Sequence, residues 1–284
     1  MMKIIGLIRI IRPINCVMMG FAVIVGAVIS AGGNIAEEGI TNLTFGFITA
    51  FTLTGASMAI NDYYDREIDA VNEPSRPIPS GLISPLESIV ISVALVIVGL
   101  ASAILTSPLC LLLATVSWVI SVVYSKSGKR TGLPGNMMVS ACVSIPLIYG
   151  SICAGKFIEP RIAIFAILAF LANTGREIIK GIADMEGDRI KGIRTLATSR
   201  GPKKAAQAAL TFFTIAVAIS PLPIALKLVN MYFIPPLLIA DVGFLASAIS
   251  VARNATRENS KKAKKEILVW MLISIIAFLI GTVK

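Results

Sequence analysis

Carboxylates at helical spacing dominate the segment that follows the second apolar stretch of the chain. Asp62, Asp65 and Asp69 are three and four residues apart, and on a continuing helix this spacing places all three on one face. Such a row of like charges is repulsive unless cations bind between its members. Pro74 and the prolines after it end the helix and stiffen a loop that carries Arg76. The segment therefore predicts a cation-binding face at a helix end.

A second polar segment follows the sixth apolar stretch. The side chains that share a helical phase there are Asn173, Glu177, Lys180, Asp184 and Asp188. Their steps of four, three, four and four residues predict one face of a continuous helix. A single segment of this kind is also typical of a solvated helix end, but ionisable groups that continue membrane helices usually face a cavity or a partner. Two such segments predict one shared site.

The available side chains narrow the chemistry of this site. Histidine is absent, which excludes histidine general bases, Ser-His-Asp triads and histidine-bound zinc or haem. The four cysteines lie inside apolar stretches and form no CxxC pair, so a thiolate metal site is not indicated. Oxygen ligands suit Mg²⁺, which binds a few carboxylates together with substrate phosphate oxygens. Two carboxylate clusters with magnesium would form a diphosphate clamp, and Arg76 and Lys180 would neutralise the remaining charge.

Hydropathy places both segments in a membrane protein. Of the 284 residues, 56% are hydrophobic and only 15% are charged, which is far from the composition of a soluble domain. Apolar stretches of about 20 residues recur, and each is long enough to cross a hydrocarbon core of about 30 Å as a helix. The predicted fold is an all-α membrane protein with about nine spans, at residues 14–33, 43–60, 86–105, 108–124, 135–154, 161–179, 205–226, 232–252 and 266–283.

Basic residues orient these spans. With the N-terminus in the cytoplasm, 22 of the 26 lysines and arginines fall on cytoplasmic segments, as the positive-inside rule requires. The C-terminus is then external, and both acidic segments emerge on the cytoplasmic side. Four spans separate Asp62 from Asp184, so the two helices run in the same direction. The predicted organisation is a single membrane domain over residues 1–284, with four-helix pseudo-repeats at about 1–124 and 135–252 and a ninth helix at 266–283.

The longest signature points to a known family. The run NDYYDREIDAVNEPSRPIPSG, residues 61–81, resembles the NDxxDxxxDxxNxxxRPxxSG signature of the UbiA-type intramembrane prenyltransferases. DMEGD at 184–188 resembles the second aspartate-rich motif of that family, and the segment from Arg12 to Asn15 resembles the one that opens its first helix. Within the family, the runs REIIKGIADMEGDRIKGIRTLA and TGLPGN are similar to archaeal digeranylgeranylglyceryl phosphate synthases.

This resemblance implies a UbiA-like bundle, Mg²⁺ as cofactor, and roles for particular residues. The implied catalytic and metal-binding residues are Asp62, Asp65, Asp69, Asp184 and Asp188. The implied substrate-binding residues are Asn15, Asn61, Asn72, Arg76, Tyr124, Lys126, Arg176 and Lys180. For the loop after Tyr124, a basic character is also expected from topology alone. The basic run at 261–265 is interpreted as a topogenic or lipid-headgroup patch.

The resemblance also predicts the reaction. A geranylgeranyl group would pass from geranylgeranyl diphosphate to geranylgeranylglyceryl phosphate, forming the second ether link of archaeal membrane lipids. The expected partners are a polyprenyl diphosphate, a lipid-phosphate acceptor and the lipid bilayer of the cell membrane, with no nucleic acid. An aromatic acceptor, a hydroxybenzoate or naphthoate on a quinone pathway, is the alternative because its metal site would look alike. A cation transporter is a third hypothesis, but transporter sites lie near the midplane rather than at one membrane face.

Overall fold

The computed structural model describes residues 2–190 and 192–282, and leaves the side chains of residues 2, 71 and 72 outside the description. No β-strand occurs within these ranges, which confirms the predicted all-α class. The α-helices are α1 (Met2–Ile11), α2 (Pro13–Ala31), α3 (Glu37–Asn72), α4 (Pro85–Thr106), α5 (Pro108–Lys126), α6 (Leu133–Cys153), α7 (Pro160–Ala183), α8 (Met185–Ile190), α9 (Leu196–Arg200), α10 (Pro202–Ile219), α11 (Leu222–Ala225), α12 (Ile234–Arg253) and α13 (Arg257–Thr282).

Nine segments of the described chain are long and apolar enough to cross a membrane, so the predicted number of spans is confirmed. They are α2 to α7, α10 continuing into α11, α12 and α13. The predicted second span at 43–60 is part of a much longer helix. With 36 residues, α3 extends about 54 Å at 1.5 Å per residue, whereas the hydrocarbon core is about 30 Å thick. A large part of α3 therefore projects beyond the hydrocarbon region.

The chain forms two compact units, of which the first comprises residues 1–27, 35–126 and 145–157. Small residues let α3 and α4 pack closely in this unit. The Ser88 hydroxyl donates a hydrogen bond to the Ala59 carbonyl at 2.8 Å, and the Ser92 hydroxyl donates to the Ala56 carbonyl at 3.0 Å. Gly99 lies where an added Cβ would come within 2.7 Å of a threonine hydroxyl of α3. Such small-residue contacts are typical of helix pairs in membranes, and they hold the long helix in place.

The second unit comprises residues 28–34, 127–144 and 158–284. Its central helix is α7, which has 67% of its span buried, the largest share among the nine spans of the described chain. Ile178 and Ile179 pack into a core with Phe213 and Phe244, whose rings stack at 5.4 Å. Gly175 allows this approach, because a Cβ there would lie 2.6 Å from the Phe213 ring. Asn173, Thr174 and Glu177 of α7 are buried and are therefore enclosed by protein rather than by lipid.

The prediction of two four-helix pseudo-repeats within one domain stays a prediction. The compact units are assembled from interleaved parts of the chain, and α6 contributes to both of them. Their boundaries follow packing, whereas the predicted repeats rest on the spacing of two sequence motifs.

Candidate active site

The first acidic segment lies on the C-terminal extension of α3, which continues without a break to Asn72. The helical phase predicted for Asp62, Asp65 and Asp69 therefore holds in the structure. Asp62 and Asp69 are buried, with exposed fractions of 2% and 5%, and Asp65 is half-buried. Buried carboxylates require charged or hydrogen-bonding partners, and each of these three has at least one.

Two arginines supply the charges that balance this cluster. Nη2 of Arg12 lies 2.6 Å from Oδ1 of Asp62. Nη1 of Arg76 lies 2.9 Å from Oδ2 of Asp69 and 3.3 Å from Oδ1 of Asp62. Two carboxylates thus converge on one arginine nitrogen. The sequence predicts cations between these carboxylates, and the cations that the structure shows are guanidinium groups.

Arg12 reaches Asp62 from the junction of α1 and α2. Its φ of +51° lies in the left-handed region, which side chains other than glycine rarely adopt. The Arg12 carbonyl accepts hydrogen bonds from the backbone amides of Asn15 at 2.9 Å and Cys16 at 3.3 Å, which fixes the first turn of α2. Strained backbone of this kind persists where the surroundings over-determine it. The Arg12 side chain therefore ties the start of α2 to the acidic face of α3.

Arg76 is held in a hydrogen-bonded turn directly after α3. Its backbone amide donates to the Glu73 carbonyl at 2.9 Å, and its carbonyl accepts from the Ser80 amide at 2.9 Å. Nη2 of Arg9, on α1, donates to the Ser75 carbonyl at 3.0 Å. The proline-rich loop is thus ordered, and it folds back so that Arg76 reaches the acidic face.

The remaining candidates of this unit lie at varied distances from the cluster. Nδ2 of Asn61 donates to Oδ2 of Asp65 at 3.0 Å, so Asn61 is a member of it. Asn15 is exposed in the first turn of α2, next to the residues that cap this helix. The side chain of Asn72 lies outside the described residues.

Tyr124 and Lys126 lie in the last turn of α5. Because successive spans run in opposite directions, the C-terminal ends of α3 and α5 reach the same side of the first unit. Lys126 is exposed, and no contact among the described residues joins it to the acidic cluster. The predicted substrate-binding role of these two residues stays a prediction.

In the second unit, Asn173 belongs to a buried polar network. Its Nδ2 donates to the Ser140 hydroxyl oxygen at 3.1 Å, and the Thr174 hydroxyl donates to the same oxygen at 2.9 Å. All three side chains are buried. Asn173 therefore links α7 to α6, a structural contact that its helical phase alone does not reveal.

Glu177, one turn further along α7, binds two of the predicted substrate-binding cations. Nη1 of Arg176 donates to its Oε1 at 2.8 Å, and Nζ of Lys180 donates to its Oε2 at 3.0 Å. Nε of Arg176 is buried and has no hydrogen-bond partner among the described residues. An unsatisfied buried donor is costly, so this guanidinium retains hydrogen-bonding capacity for a further anion.

The second acidic segment departs from the predicted continuous helix. Helix α7 ends at Ala183, Asp184 caps it with φ −101° and ψ 4°, and Asp188 lies on the separate short helix α8. Aspartate is a weak helix former, and Asp184 stands at this interruption. Backbone hydrogen bonds still cross it, from the Asp184 amide to the Lys180 carbonyl at 2.9 Å and from the Asp188 amide to the Asp184 carbonyl at 3.0 Å.

Basic residues from α13 contact this second segment. Nζ of Lys264 lies 3.7 Å from Oδ1 of Asp184, whose side chain is 42% exposed. Nη1 of Arg257 lies 3.0 Å from Oε2 of Glu186, and both of these side chains are exposed. The side chains of Asp184 and Glu186 in the second acidic segment are therefore open to solvent.

The family of the chain follows from its sequence profile. The profile described as "UbiA prenyltransferase family" matches residues 19–276. This chain belongs to the UbiA prenyltransferase family. It is thus a multi-span membrane enzyme of the prenyltransferase class, as its two acidic segments and its nine spans predict.

Relatives of this UbiA-family chain are similar over nearly its whole length. Digeranylgeranylglyceryl phosphate synthase of Methanosarcina mazei is 33% identical over 96% of this chain and 97% of its own. The enzyme of that name from Methanopyrus kandleri is 37% identical, with the same coverage. These relatives support an archaeal lipid prenyltransferase.

Solved structures agree with the UbiA fold. One, described as giving insights into "the biosynthesis of Digeranylgeranylglyceryl phosphate synthase in membranes", has a TM-score of 0.88 at 29% identity and covers 100% of this chain and 99% of its own. A UbiA homolog from Archaeoglobus fulgidus, bound to GPP and Mg²⁺, has a TM-score of 0.70 at 16% identity, with 96% and 99% coverage. At that identity the second comparison concerns the fold alone.

Sequence reasoning missed three basic residues that the structure places at the acidic segments of this UbiA-family chain. They are Arg12, Arg257 and Lys264. Arg12 stands in a segment that resembles the family pattern, but only Asn15 was selected from it. Lys264 belongs to a basic run that topology alone explains, so its charge carries no separate signal. The one sequence feature that indicates its contact with the acidic segment is its position seven residues after Arg257, two helical turns along one face.

Proposed function

We propose that this UbiA-family enzyme transfers a geranylgeranyl group from geranylgeranyl diphosphate to geranylgeranylglyceryl phosphate, forming the second ether link of archaeal membrane lipids. The observation that carries the proposal is the near-full-length identity, 33% and 37%, to two proteins named digeranylgeranylglyceryl phosphate synthase. Family membership alone leaves the acceptor open. Similarity over 96% of the chain extends well beyond the two acidic segments and therefore includes elements that would line an acceptor pocket.

We assign magnesium to the first acidic cluster, and a UbiA homolog of the same fold is described with GPP and Mg²⁺ bound. The carboxylates of Asp62 and Asp69 both lie within 3.3 Å of one nitrogen of Arg76, so their oxygens already converge on a cation. Oxygen-only ligands are those that Mg²⁺ prefers. No group of three acidic side chains suited to a metal occurs in the described ranges, so waters and phosphate oxygens would complete the coordination. The proposed ligands are Asp62, Asp65, Asp69, Asp184 and Asp188.

Bound Mg²⁺ would neutralise the diphosphate as a leaving group, and the arginines of the first cluster would assist. Arg12 and Arg76 lie directly beside the proposed ligands. A guanidinium group can bind two phosphate oxygens at once, so a diphosphate bound here would be within their reach. We assign the side-chain amides of Asn15, Asn61 and Asn72 to hydrogen bonds with the same group.

The acceptor phosphate needs cations of its own, because a second anion beside the diphosphate would otherwise be repelled. Arg176 and Lys180 are the proposed partners. Both contact Glu177, and the unpaired Nε of Arg176 leaves one donor for a further anion. Tyr124 and Lys126, at the end of α5, are the second proposed contact.

The transfer itself requires positioning and the exclusion of water rather than a nucleophilic side chain. The bond between C1 of the prenyl chain and the diphosphate oxygen breaks, and its electron pair leaves with the diphosphate. The free hydroxyl oxygen of the acceptor then forms a bond to C1, and its proton passes to an oxygen of the departed diphosphate. Water would compete for the same carbon, so a site enclosed by apolar helices protects the reaction. The absence of histidine from the sequence is compatible with this chemistry.

We propose further that both acidic segments serve one diphosphate site on the cytoplasmic side of the cell membrane. The support comes from the sequence, in which four spans separate Asp62 from Asp184 and 22 of 26 basic residues fall on one side. From the same bias we propose that the N-terminus lies in the cytoplasm and the C-terminus outside.

The decisive experiment offers the purified protein, in lipid bilayers with Mg²⁺, labelled prenyl diphosphates and a panel of acceptors. We expect transfer from geranylgeranyl diphosphate to geranylgeranylglyceryl phosphate, loss of activity with a chelator and its recovery on adding Mg²⁺. Efficient prenylation of 4-hydroxybenzoate, with no transfer to geranylgeranylglyceryl phosphate, would show the acceptor to be wrong. Full activity in the presence of the chelator would show that the transfer does not require a metal.

A further inference from the structure

A cavity of about 700 Å³ opens where α12 ends and α13 begins. Its walls include Ile249 and Arg253 of α12, Asn254 of the connection, and Asn259 and Lys262 of α13. The volume is in the range of small-molecule sites. No residue of either acidic segment lines it, so the cavity is separate from the candidate active site.

The polar rim of this cavity is held in a fixed shape. Nδ2 of Asn259 donates to the Ser250 carbonyl at 3.0 Å and to the Asn254 carbonyl at 2.8 Å. The Ser250 hydroxyl donates in turn to Oδ1 of Asn259 at 3.1 Å. These bonds join the last turn of α12 to the first turn of α13. The opening is therefore pre-organised, which lowers the entropy cost of binding a ligand there.

Two cations on the wall are available to a ligand. Arg253 is exposed and forms no ion pair with any residue that the structure describes. Lys262 is 76% exposed, and its ion pair with Glu266 spans 3.8 Å. Glu258 is the single acid among the described lining residues, so the wall carries net positive charge. The cavity is accordingly complementary to an anion.

Helical phase separates these cations from the basic residues that contact the second acidic segment. Arg257 and Lys264 are seven residues apart and lie at Glu186 and Asp184. Lys262 is on a different face of α13, towards the cavity. The basic run at the start of α13 is thus divided between two sites rather than forming one uniform patch.

An apolar surface leads away from the cavity along α12. Ala246 and Ile249 line its wall, and Leu238 and Val242 continue the same helical face with exposed fractions of 56% and 67%. From Leu238 to Arg253 the helix rises about 22 Å at 1.5 Å per residue, which exceeds one leaflet of a hydrocarbon core of about 30 Å. A cationic, polar cavity therefore adjoins an apolar strip long enough for a lipid chain.

We propose that this cavity binds the phosphate headgroup of an anionic membrane lipid, with one hydrocarbon chain lying along the exposed face of α12. The phosphate would contact Arg253 and Lys262, and Asn254 and Ser250 would supply polar contacts to the rest of the headgroup. Scattered surface lysines attract anionic lipids only loosely. A concave, pre-organised cavity with an adjoining apolar strip would instead hold one lipid molecule in a fixed position.

The test is native mass spectrometry of the full chain released from detergent after incubation with equal amounts of phosphatidylglycerol and phosphatidylcholine. We expect one retained phosphatidylglycerol per chain. The double variant Arg253→Gln with Lys262→Gln should bind it about twenty-five-fold more weakly, from roughly fivefold for each cation near an anionic headgroup. Lys203→Gln with Lys204→Gln is the matched control, because it removes the same charge from exposed residues at the start of α10. This control should bind like the wild type.

Three outcomes would overturn the proposal: equal retention in the cavity variant and the wild type, equal loss in the control, or equal retention of the two lipids. A competition arm separates a lipid site from a simple phosphate site. Glycerol phosphate and inorganic phosphate carry the anion without the chain, so they should displace the lipid only at far higher concentration. Displacement by inorganic phosphate at the concentration of the lipid itself would show that the apolar strip contributes nothing. The single variant Arg253→Lys, which keeps the charge, should retain the lipid.

Discussion

Asp62 and Asp69 of the first acidic segment differ from Asp184 of the second in burial and in the distance to a basic partner. In the first, Asp62 and Asp69 are buried and lie 2.6 to 3.3 Å from arginine nitrogens. In the second, Asp184 is 42% exposed, and its ion pair with Lys264 spans 3.7 Å. The first stands on an unbroken helix, whereas the second stands at the interruption between α7 and α8.

The same pattern of aspartates therefore occurs in two settings that should affect the stability of the fold differently. Buried ion pairs are costly to break, since removing one partner leaves the other charge unpaired away from water. Exposed ion pairs contribute little to stability. We therefore expect Asp62 and Asp69 to contribute to the stability of the fold as well as to a ligand set, and Asp184 to contribute little to that stability.

The largest expected effect is the presence or absence of thiol labelling, which reports the side of the membrane on which each acidic segment lies. Cysteine introduced at Ser80, after the first segment, or at Ser199, after the second, should be protected from an impermeant thiol reagent added outside intact cells. Both positions are exposed, so membrane sidedness rather than burial would cause the protection. Cysteine at Asn34, also exposed, is the external control and should react. Reaction at Ser199 but not at Ser80 would place the segments on opposite faces and end the shared-site proposal.

The next effect is on turnover. Asp62→Asn and Asp184→Asn should each lower kcat by roughly a hundred- to a thousandfold, because each removes a charge that stabilises the departing diphosphate. The comparison predicts that only the first also changes stability. Asp62→Asn leaves Arg12 without its carboxylate and should lower the free energy of unfolding by roughly 1 to 3 kcal/mol.

Kinetics and thermal unfolding measured on the same preparations separate these two effects. Asp184→Asn should unfold within about 0.5 kcal/mol of the wild type. The double variant tests the shared site, because residues that act as one unit lose less together than the product of their single effects. Fully multiplicative losses in the Asp62 and Asp184 double variant would indicate two independent sites.

A smaller effect, on stability alone, is expected when a basic partner of either acidic segment is replaced. Arg76→Gln should lower the free energy of unfolding by roughly 2 kcal/mol, because the buried Asp69 then loses its contact with the Arg76 guanidinium. Lys264→Gln should cost less than about 0.5 kcal/mol, since its partner is partly exposed. Thermal unfolding in detergent, with the two variants side by side, gives the comparison.

Thermal unfolding with added magnesium tests where the metal binds. If Arg76 holds the place of a metal, added Mg²⁺ should raise the Tm of Arg76→Gln more than that of the wild type, because the ion stabilises carboxylates that have lost their arginine. NaCl at the same ionic strength is the control, because Na⁺ does not replace Mg²⁺ at a carboxylate site. An equal Tm shift in both proteins would contradict the placement of the metal at Asp62 and Asp69.

The sequence predicts the membrane class, nine spans and the helical face of the first acidic segment, because these depend on hydropathy and on a regular period. It does not predict that the second segment breaks its helix at Asp184. A spacing of four residues is compatible both with a continuous helix and with two helices joined by a cap. Only packing around α7 decides between them.

Counter-ions are also beyond what spacing can reveal. The pairing of Arg12 with Asp62 depends on a left-handed backbone at the α1–α2 junction, a conformation that no local pattern around an arginine predicts. Lys264 is similar, since its charge satisfies the positive-inside rule wherever it points. Its contact with Asp184 follows from the rotation of α13, which is set by tertiary packing.

The smallest effect concerns the acceptor, and it again contrasts the two units. In the second unit Lys180 is bound to Glu177, 3.0 Å from Oε2, whereas Lys126 in the first is exposed and has no ion pair with the described residues. A cation already positioned by a carboxylate loses less entropy when it binds a phosphate. Lys180→Gln should therefore raise the KM of geranylgeranylglyceryl phosphate by about tenfold, the value of one charge-assisted hydrogen bond. Lys126→Gln should raise it by about threefold, because an exposed cation is screened by water.

The KM of geranylgeranyl diphosphate should stay near that of the wild type in both, as should both constants in Lys203→Gln. A parallel rise for both substrates in Lys180→Gln would instead assign Lys180 to the diphosphate, and the acceptor phosphate would then require Arg176 as its principal partner.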